Sequence, residues 1–150
     1  HFWPAFRALI PFTLIGAAFI LSWGYFYYGR YPYKWSFVES IVSYPLWAFI
    51  QQYAVQAFVN RRFQRIFVSH GAVVVATGLV FGLLHYPNVL LVVFTTLAGF
   101  VWAYVFIRHP NLFAISLSQG ILATLMHHCL PKALTCGRVV GPRVFLRGCL

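Results

Sequence analysis

Acidic side chains are almost absent from this sequence of 150 residues, since Glu39 is the only one and just 8% of the residues are charged. A soluble domain of this length needs a largely polar surface, whereas 61% of the residues here are hydrophobic. The shortage of polar groups therefore excludes an ordinary soluble domain.

Cysteine is also scarce, and Cys129, Cys136 and Cys149 all fall near the C-terminal end. An odd number without paired spacing gives no disulfide framework, so we assign these thiols no role. The net charge of +10 comes from 11 basic residues that lie in short clusters between apolar runs. Such clusters are typical of the flanks of membrane spans, and we therefore expect no nucleic-acid partner.

Long apolar runs fill the rest of the chain. About 20 apolar residues are needed to cross the hydrocarbon layer as a helix. We predict an all-α polytopic integral membrane bundle that forms a single domain over residues 1–150, with about five transmembrane helices. The predicted spans are residues 8–27, 38–59, 67–86, 89–107 and 111–130, followed by a basic tail at 132–150.

The apolar runs and the basic clusters also predict the partners, the location and the orientation of the bundle. We expect membrane lipids and other membrane-protein subunits as partners, and the bacterial inner membrane as the location. The N-terminal segment, second loop and fourth loop carry five Lys or Arg residues, against two in the first loop. With the tail omitted, this difference favours a cytoplasmic N-terminus.

Amide side chains inside the second span are the first candidates for a site. Gln51 and Gln52 lie near mid-depth, and Gln52, Gln56 and Asn60 recur every four residues, which places them on one helix stripe. An unpaired amide in hydrocarbon is costly, so these side chains should face the bundle interior.

The third and fifth spans contribute further polar positions. Gly78, Gly82 and His85 share a face, and the two glycines form a small-xxx-small contact that lets another helix come close. Gln119 lies near the middle of the fifth span. We expect four side chains to turn toward one another in the bundle, namely Gln51, Gln52, His85 and Gln119.

Two histidines lie at the far end of the fifth span. At 100° per residue, at most one of His127 and His128 shares the side of Gln119. Alternate spans run in opposite directions, so His85 and His127 emerge on the same side of the membrane, and a cluster of His85 with His127 or His128 is geometrically allowed. Structural packing, interfacial solvation and ligation of a metal or pigment all remain open for these side chains.

The order of these residues resembles the CPBP family of intramembrane proteases, which includes CAAX prenyl-protein endopeptidases and bacteriocin-processing enzymes. Phe81 to His85 is similar to that family's Phe-x-x-x-His motif. Gln51 and Gln52 stand where the family has a glutamate pair, and Gln56 stands where it has an arginine. The third motif is a histidine followed four residues later by Asn or Asp, and its positions hold Gln119 and Ala123. The resemblance covers residues 44–142.

The departures from the family pattern bear on catalysis. The resemblance implies a glutamate that activates water with help from histidines or a metal, but a glutamine cannot accept a proton at neutral pH. Glu39 is no obvious replacement, because it lies about 18 Å along the helix from Gln51. One histidine among neutral amides is also a poor zinc site, so we assign no metal ligands and do not expect zinc.

We therefore interpret the chain as a CPBP-like bundle without catalytic activity. It would act as a binding or accessory subunit that holds a lipid or prenyl tail, a pigment, or a helix of a larger membrane complex. One alternative is an active CPBP intramembrane peptidase. The other is a subunit in which His85, His127 or His128 is the axial ligand of a haem or chlorophyll-type pigment.

Overall fold

The computed structural model describes residues 2–28 and 36–131, and every regular element in these ranges is helical. This confirms the predicted all-α class. The first loop, the basic tail predicted at 132–150, Cys136 and Cys149 lie outside the described residues. The elements are α1 (Phe2–Tyr28), α2 (Ser36–Gln52), a π-helical segment (Tyr53–Asn60), α3 (Arg61–Ile66), α4 (His70–Leu83), α5 (Val89–Arg108) and α6 (Leu112–Cys129).

Three helices of the described part, α1, α5 and α6, are long and apolar enough to cross a membrane. The α4 helix is apolar but has 14 residues, or about 21 Å at 1.5 Å per residue. It is thus shorter than the third span that we predicted at residues 67–86. The physical reason is local, because the Ser69 side chain accepts a hydrogen bond from the Ala72 amide and caps the helix after Phe67 and Val68.

Glycines set the distances between the packed helices. The helix pairs with the most extensive packing are α4 with α5, α2 with α6, and α1 with α6. A methyl group on Gly99 of α5 would lie 2.9 Å from the Gly78 Cα of α4, so these helices meet backbone to backbone. The small-xxx-small contact predicted for Gly78 and Gly82 is therefore confirmed. On α6, Gly120 lies against the ring of Pro45 in α2.

We expect Gly82→Ala to lower the free energy of unfolding by about 1 to 2 kcal/mol through overpacking. The added methyl would overlap the Thr96 hydroxyl and lie 2.9 Å from the Val92 carbonyl oxygen. Rotation of the Thr96 side chain can relieve its overlap with the methyl, which limits the loss of stability. The Val92 carbonyl belongs to the backbone and cannot rotate in this way, so part of the loss remains. Thermal unfolding in detergent, followed by tryptophan fluorescence, measures the loss. A variant as stable as the wild type would contradict the close α4–α5 contact.

The basic side chains of the described residues gather at one end of the bundle. The antiparallel arrangement brings the starts of α1, α4 and α6 beside the ends of α3 and α5. Three of the arginines also lie over aromatic rings, with guanidinium-to-ring distances between 5.2 and 5.5 Å. The set at this end, called the arginine end below, is Arg7, Arg61, Arg62, Arg65 and Arg108.

Candidate functional site

Three amide side chains from α2 and α6 form a continuous chain of hydrogen bonds. Gln52 Nε2 donates to Gln119 Oε1 at 2.6 Å, and Gln119 Nε2 donates to Gln51 Oε1 at 2.7 Å. Gln52 is fully buried and Gln119 is nearly so. Because Gly120 lets α6 approach Pro45 closely, one amide of α6 reaches two neighbouring amides of α2. We call Gln51, Gln52 and Gln119 the amide chain.

Gln56 does not join the amide chain, although it lies one turn beyond Gln52. Its Oε1 accepts a hydrogen bond from Asn60 Nδ2 at 2.9 Å, and Asn60 Oδ1 accepts one from Gln64 Nε2 at 2.7 Å. Gln52, Gln56 and Asn60 are all fully buried, as the predicted stripe requires. Gln52 Oε1 and Gln56 Nε2 have no hydrogen-bond partner within the described ranges. The site therefore combines well-paired amides with two unpaired polar atoms.

His85 lies in the turn after α4, where its spacing from Phe81 fixes the ring. Its Nδ1 is 2.9 Å from the Phe81 carbonyl oxygen and 3.2 Å from Thr95 Oγ1. A carbonyl oxygen can only accept, so Nδ1 carries the proton and Nε2 of the neutral ring is left as an acceptor. Sequence reasoning missed Thr95. The sequence feature that could have identified it is the Thr95–Thr96 pair, which places two hydroxyls side by side in a largely apolar helix.

A cavity of about 570 Å³ lies between α1, α2, α5, α6 and the turn that holds His85. Its lining is mostly aliphatic and aromatic, and it includes Trp47 and Trp102. Ile15, Trp47 and Leu97 are each more than half exposed, so the cavity opens on the outer surface of the bundle. Among residues 2–28 and 36–131, none of the lining side chains is Lys, Arg, Asp or Glu. The polar members of the lining are Tyr44, Gln51, His85, Thr95 and Gln119.

His127 and His128 pack against α2 and do not line this cavity. His128 Nε2 is 2.9 Å from Ser40 Oγ, and the His127 ring lies 5.8 Å from the Tyr44 ring centre to centre. The structure therefore places His85 in the cavity lining and both of these histidines outside it. Among residues 2–28 and 36–131, no three His, Cys, Asp or Glu side chains form a group suited to a metal ion.

Glu39, the one acidic residue, occupies the first turn of α2 and is absent from the lining of the cavity. Gln51 follows it 12 residues later on the same helix, which corresponds to about 18 Å. The carboxylate therefore stays away from the amide chain, as the helix spacing predicts.

Comparison with known proteins identifies a family. A family model described as type II CAAX prenyl endopeptidase Rce1-like matches residues 33–125, which is more than half of the chain. Neither a curated protein nor a solved structure matches. The match confirms the predicted CPBP resemblance, and it covers all five motif positions, Gln51, Gln52, Gln56, His85 and Gln119.

Proposed function

Because the chain belongs to the type II CAAX prenyl endopeptidase Rce1-like family, we propose that it is a member that binds an apolar chain in its cavity without hydrolysing a peptide bond. The family and the long apolar helices make it an integral membrane protein with an intramembrane protease fold. The observation that carries the proposal is the amide chain, which occupies motif positions where the CPBP pattern has glutamates and a histidine.

Hydrolysis needs a group that takes a proton from the attacking water. An amide has no such capacity at neutral pH, and the oxygens of Gln51 and Gln119 already accept hydrogen bonds from neighbouring amides. Within the described ranges, His85 is the one imidazole in the lining, and no carboxylate accompanies it there. Gln51, His85 and Gln119, called the cavity floor below, are therefore better suited to holding a ligand by hydrogen bonds than to transferring a proton.

The cavity has the character of a binding site for an apolar chain. Its volume of about 570 Å³ lies in the usual range of ligand pockets, and a few polar groups converge on a mainly apolar lining. Because it opens on the outer surface of the bundle, a prenyl or acyl chain can enter directly from the bilayer. Flat aromatic walls at Trp47 and Trp102 would add contact area.

We further propose that the bound chain belongs to another membrane protein, so that this protein is an accessory subunit of a larger assembly. Large apolar side chains are exposed along α1, including Leu14, Ile15 and Phe19. Within a bilayer such faces gain affinity through close packing. Native mass spectrometry of gently solubilised membranes tests the assembly, and a chain that runs alone, without a stoichiometric partner, would count against it.

The first test is for peptidase activity in lipid nanodiscs. The substrate is a prenylated CAAX peptide with a fluorophore and a quencher on either side of the scissile bond, and an active member of the family is the positive control. We expect no cleavage above that of empty nanodiscs. The variant with Gln51→Glu and Gln52→Glu should also be inactive, because Gln56 and Gln119 still depart from the motifs. Cleavage by the wild type that is lost in His85→Ala would overturn the proposal.

The second test is for binding, with the tryptophans of the cavity as reporters. A dansyl-labelled prenyl chain is expected to quench the emission of Trp47 and Trp102 saturably. Ala123→Phe fills the cavity and should weaken this binding at least tenfold. Ala54→Phe is the matched control, because Ala54 is exposed on the π-helical segment and lies outside the cavity lining. Equal binding by both variants would show that the chain binds elsewhere.

A further inference from the structure

We infer that the cavity selects by charge: it accepts an apolar chain that ends in a neutral hydrogen-bonding group and rejects the same chain with a charged head group. The inference rests on the proposed function, because it names the chemistry of the ligand in that same cavity. Suitable head groups are an alcohol or an amide. Unsuitable ones are a sulfate, a phosphate or a quaternary ammonium.

The first argument is that the described part of the lining offers no counter-charge. The polar lining side chains that the structure describes are neutral amides, hydroxyls and one imidazole, with no Lys, Arg, Asp or Glu among them. The basic side chains of the described residues lie at the arginine end. On α5, for example, Arg108 follows Thr95 by 13 residues, or about 20 Å along the helix axis.

The second argument is the cost of desolvation. An ion moved from water into an apolar site without a partner loses several kcal/mol of solvation. A neutral alcohol or amide loses about 1 to 3 kcal/mol when unpaired, and a hydrogen bond in the site recovers much of this. With no counter-charge in the described lining, the cavity therefore discriminates against ions more strongly than it rewards any neutral group.

The third argument is that the floor presents one donor and one acceptor. The amide chain runs from Gln52 through Gln119 to Gln51, so the Gln51 Nε2 hydrogens are left over at its end. In the neutral imidazole, His85 Nε2 is an acceptor, because Nδ1 donates to the Phe81 carbonyl. Gln51 and His85 both line the cavity. A head group that both donates and accepts, such as an alcohol or a primary amide, can pair with both.

The test is a competition between ligands with the same chain. The protein is held in phosphatidylcholine nanodiscs at pH 8, where an ordinary imidazole is neutral, and carries the dansyl-labelled prenyl probe. The competitors are hexadecanol, hexadecanamide, hexadecyl sulfate and hexadecyltrimethylammonium, each titrated by its mole fraction in the bilayer. We expect the two neutral compounds to displace the probe at mole fractions at least tenfold lower than the two charged ones.

Two results would overturn the inference, and they differ in their meaning. Displacement by hexadecyl sulfate or hexadecyltrimethylammonium at the same concentration as hexadecanol refutes charge selection but leaves the binding function intact. If the probe does not bind at all, the binding function fails and charge selection fails with it.

A change of specificity provides a second readout. Gln51→Lys places a positive charge on the cavity floor and should improve the competition by hexadecyl sulfate, relative to hexadecanol, at least tenfold. Gln64→Lys is the matched control, since Gln64 is exposed and lies outside the cavity lining. An equal change in both variants would mean that the charge acts at the surface, which contradicts the inference.

Discussion

Gln119→Leu is expected to lower the free energy of unfolding by about 2 to 3 kcal/mol. Leucine has nearly the same volume, but the substitution removes both hydrogen bonds of the amide chain. Gln52 Nε2 and Gln51 Oε1 would then lose their partners, and Gln52 is fully buried, so water cannot replace the bond. Unfolding by sodium dodecyl sulfate in mixed micelles, followed by tryptophan fluorescence, measures the difference.

The control for this substitution is Gln64→Leu. Gln64 also donates to a neighbouring amide, that of Asn60, but this is one hydrogen bond from an exposed side chain, whereas Gln119 takes part in two such bonds. We expect a smaller loss, of about 1 kcal/mol. Equal losses in the two variants would show that the amide chain has no special role in stability.

Gly120→Val is expected to cost at least about 3 kcal/mol, at the upper end of overpacking effects. The first added carbon would lie 2.5 Å from Pro45 Cγ and 2.7 Å from both Cα and N of Pro45. The proline ring is rigid, and two of these three atoms belong to the backbone of α2, so no side-chain rotation relieves the overlap. The same unfolding measurement applies.

Gly71→Val is the matched control for Gly120→Val. A carbon added to Gly71, in the first turn of α4, would meet only Ser69 Oγ, at 3.9 Å. The control should therefore change stability by less than about 0.5 kcal/mol. Comparable losses at the two positions would indicate that helix propensity, and not the α2–α6 contact, sets the cost.

The helices were predictable because membrane crossing imposes length and apolarity together. The start of α4 was not, since Phe67 and Val68 are as apolar as the helix that follows them. A single side-chain hydrogen bond at Ser69 decides that boundary, and hydropathy is insensitive to it. Helix starts depend on such local pairing, so a window of average apolarity cannot locate them.

The convergence of Gln51, Gln52 and Gln119 followed from the cost of leaving amides in hydrocarbon. Which amide donates to which did not follow from the sequence. The hydrogen bonds depend on the positions of individual side-chain atoms, whereas helix periodicity predicts only which residues share a face. At 3.6 residues per turn, Gln56 lies one turn after Gln52 on the same face, but Gln56 accepts a hydrogen bond from Asn60 instead. Both residues belong to the π-helical segment, and the sequence does not reveal the wider turn of that segment. The cavity was likewise beyond sequence reasoning, since its walls come from separate helices whose side chains pack jointly.

The arginine end has a consequence for where a ligand comes from. The cavity is lined by the second half of α2, the middle of α1, the later half of α6 and mainly the earlier half of α5, together with the turn after α4. Most of these segments lie away from the arginine end, toward the half of the bundle that faces one leaflet of the bilayer. A chain that enters the cavity is therefore drawn from that leaflet. Lipids and lipid anchors confined to the opposite leaflet would escape the protein, whatever their head group.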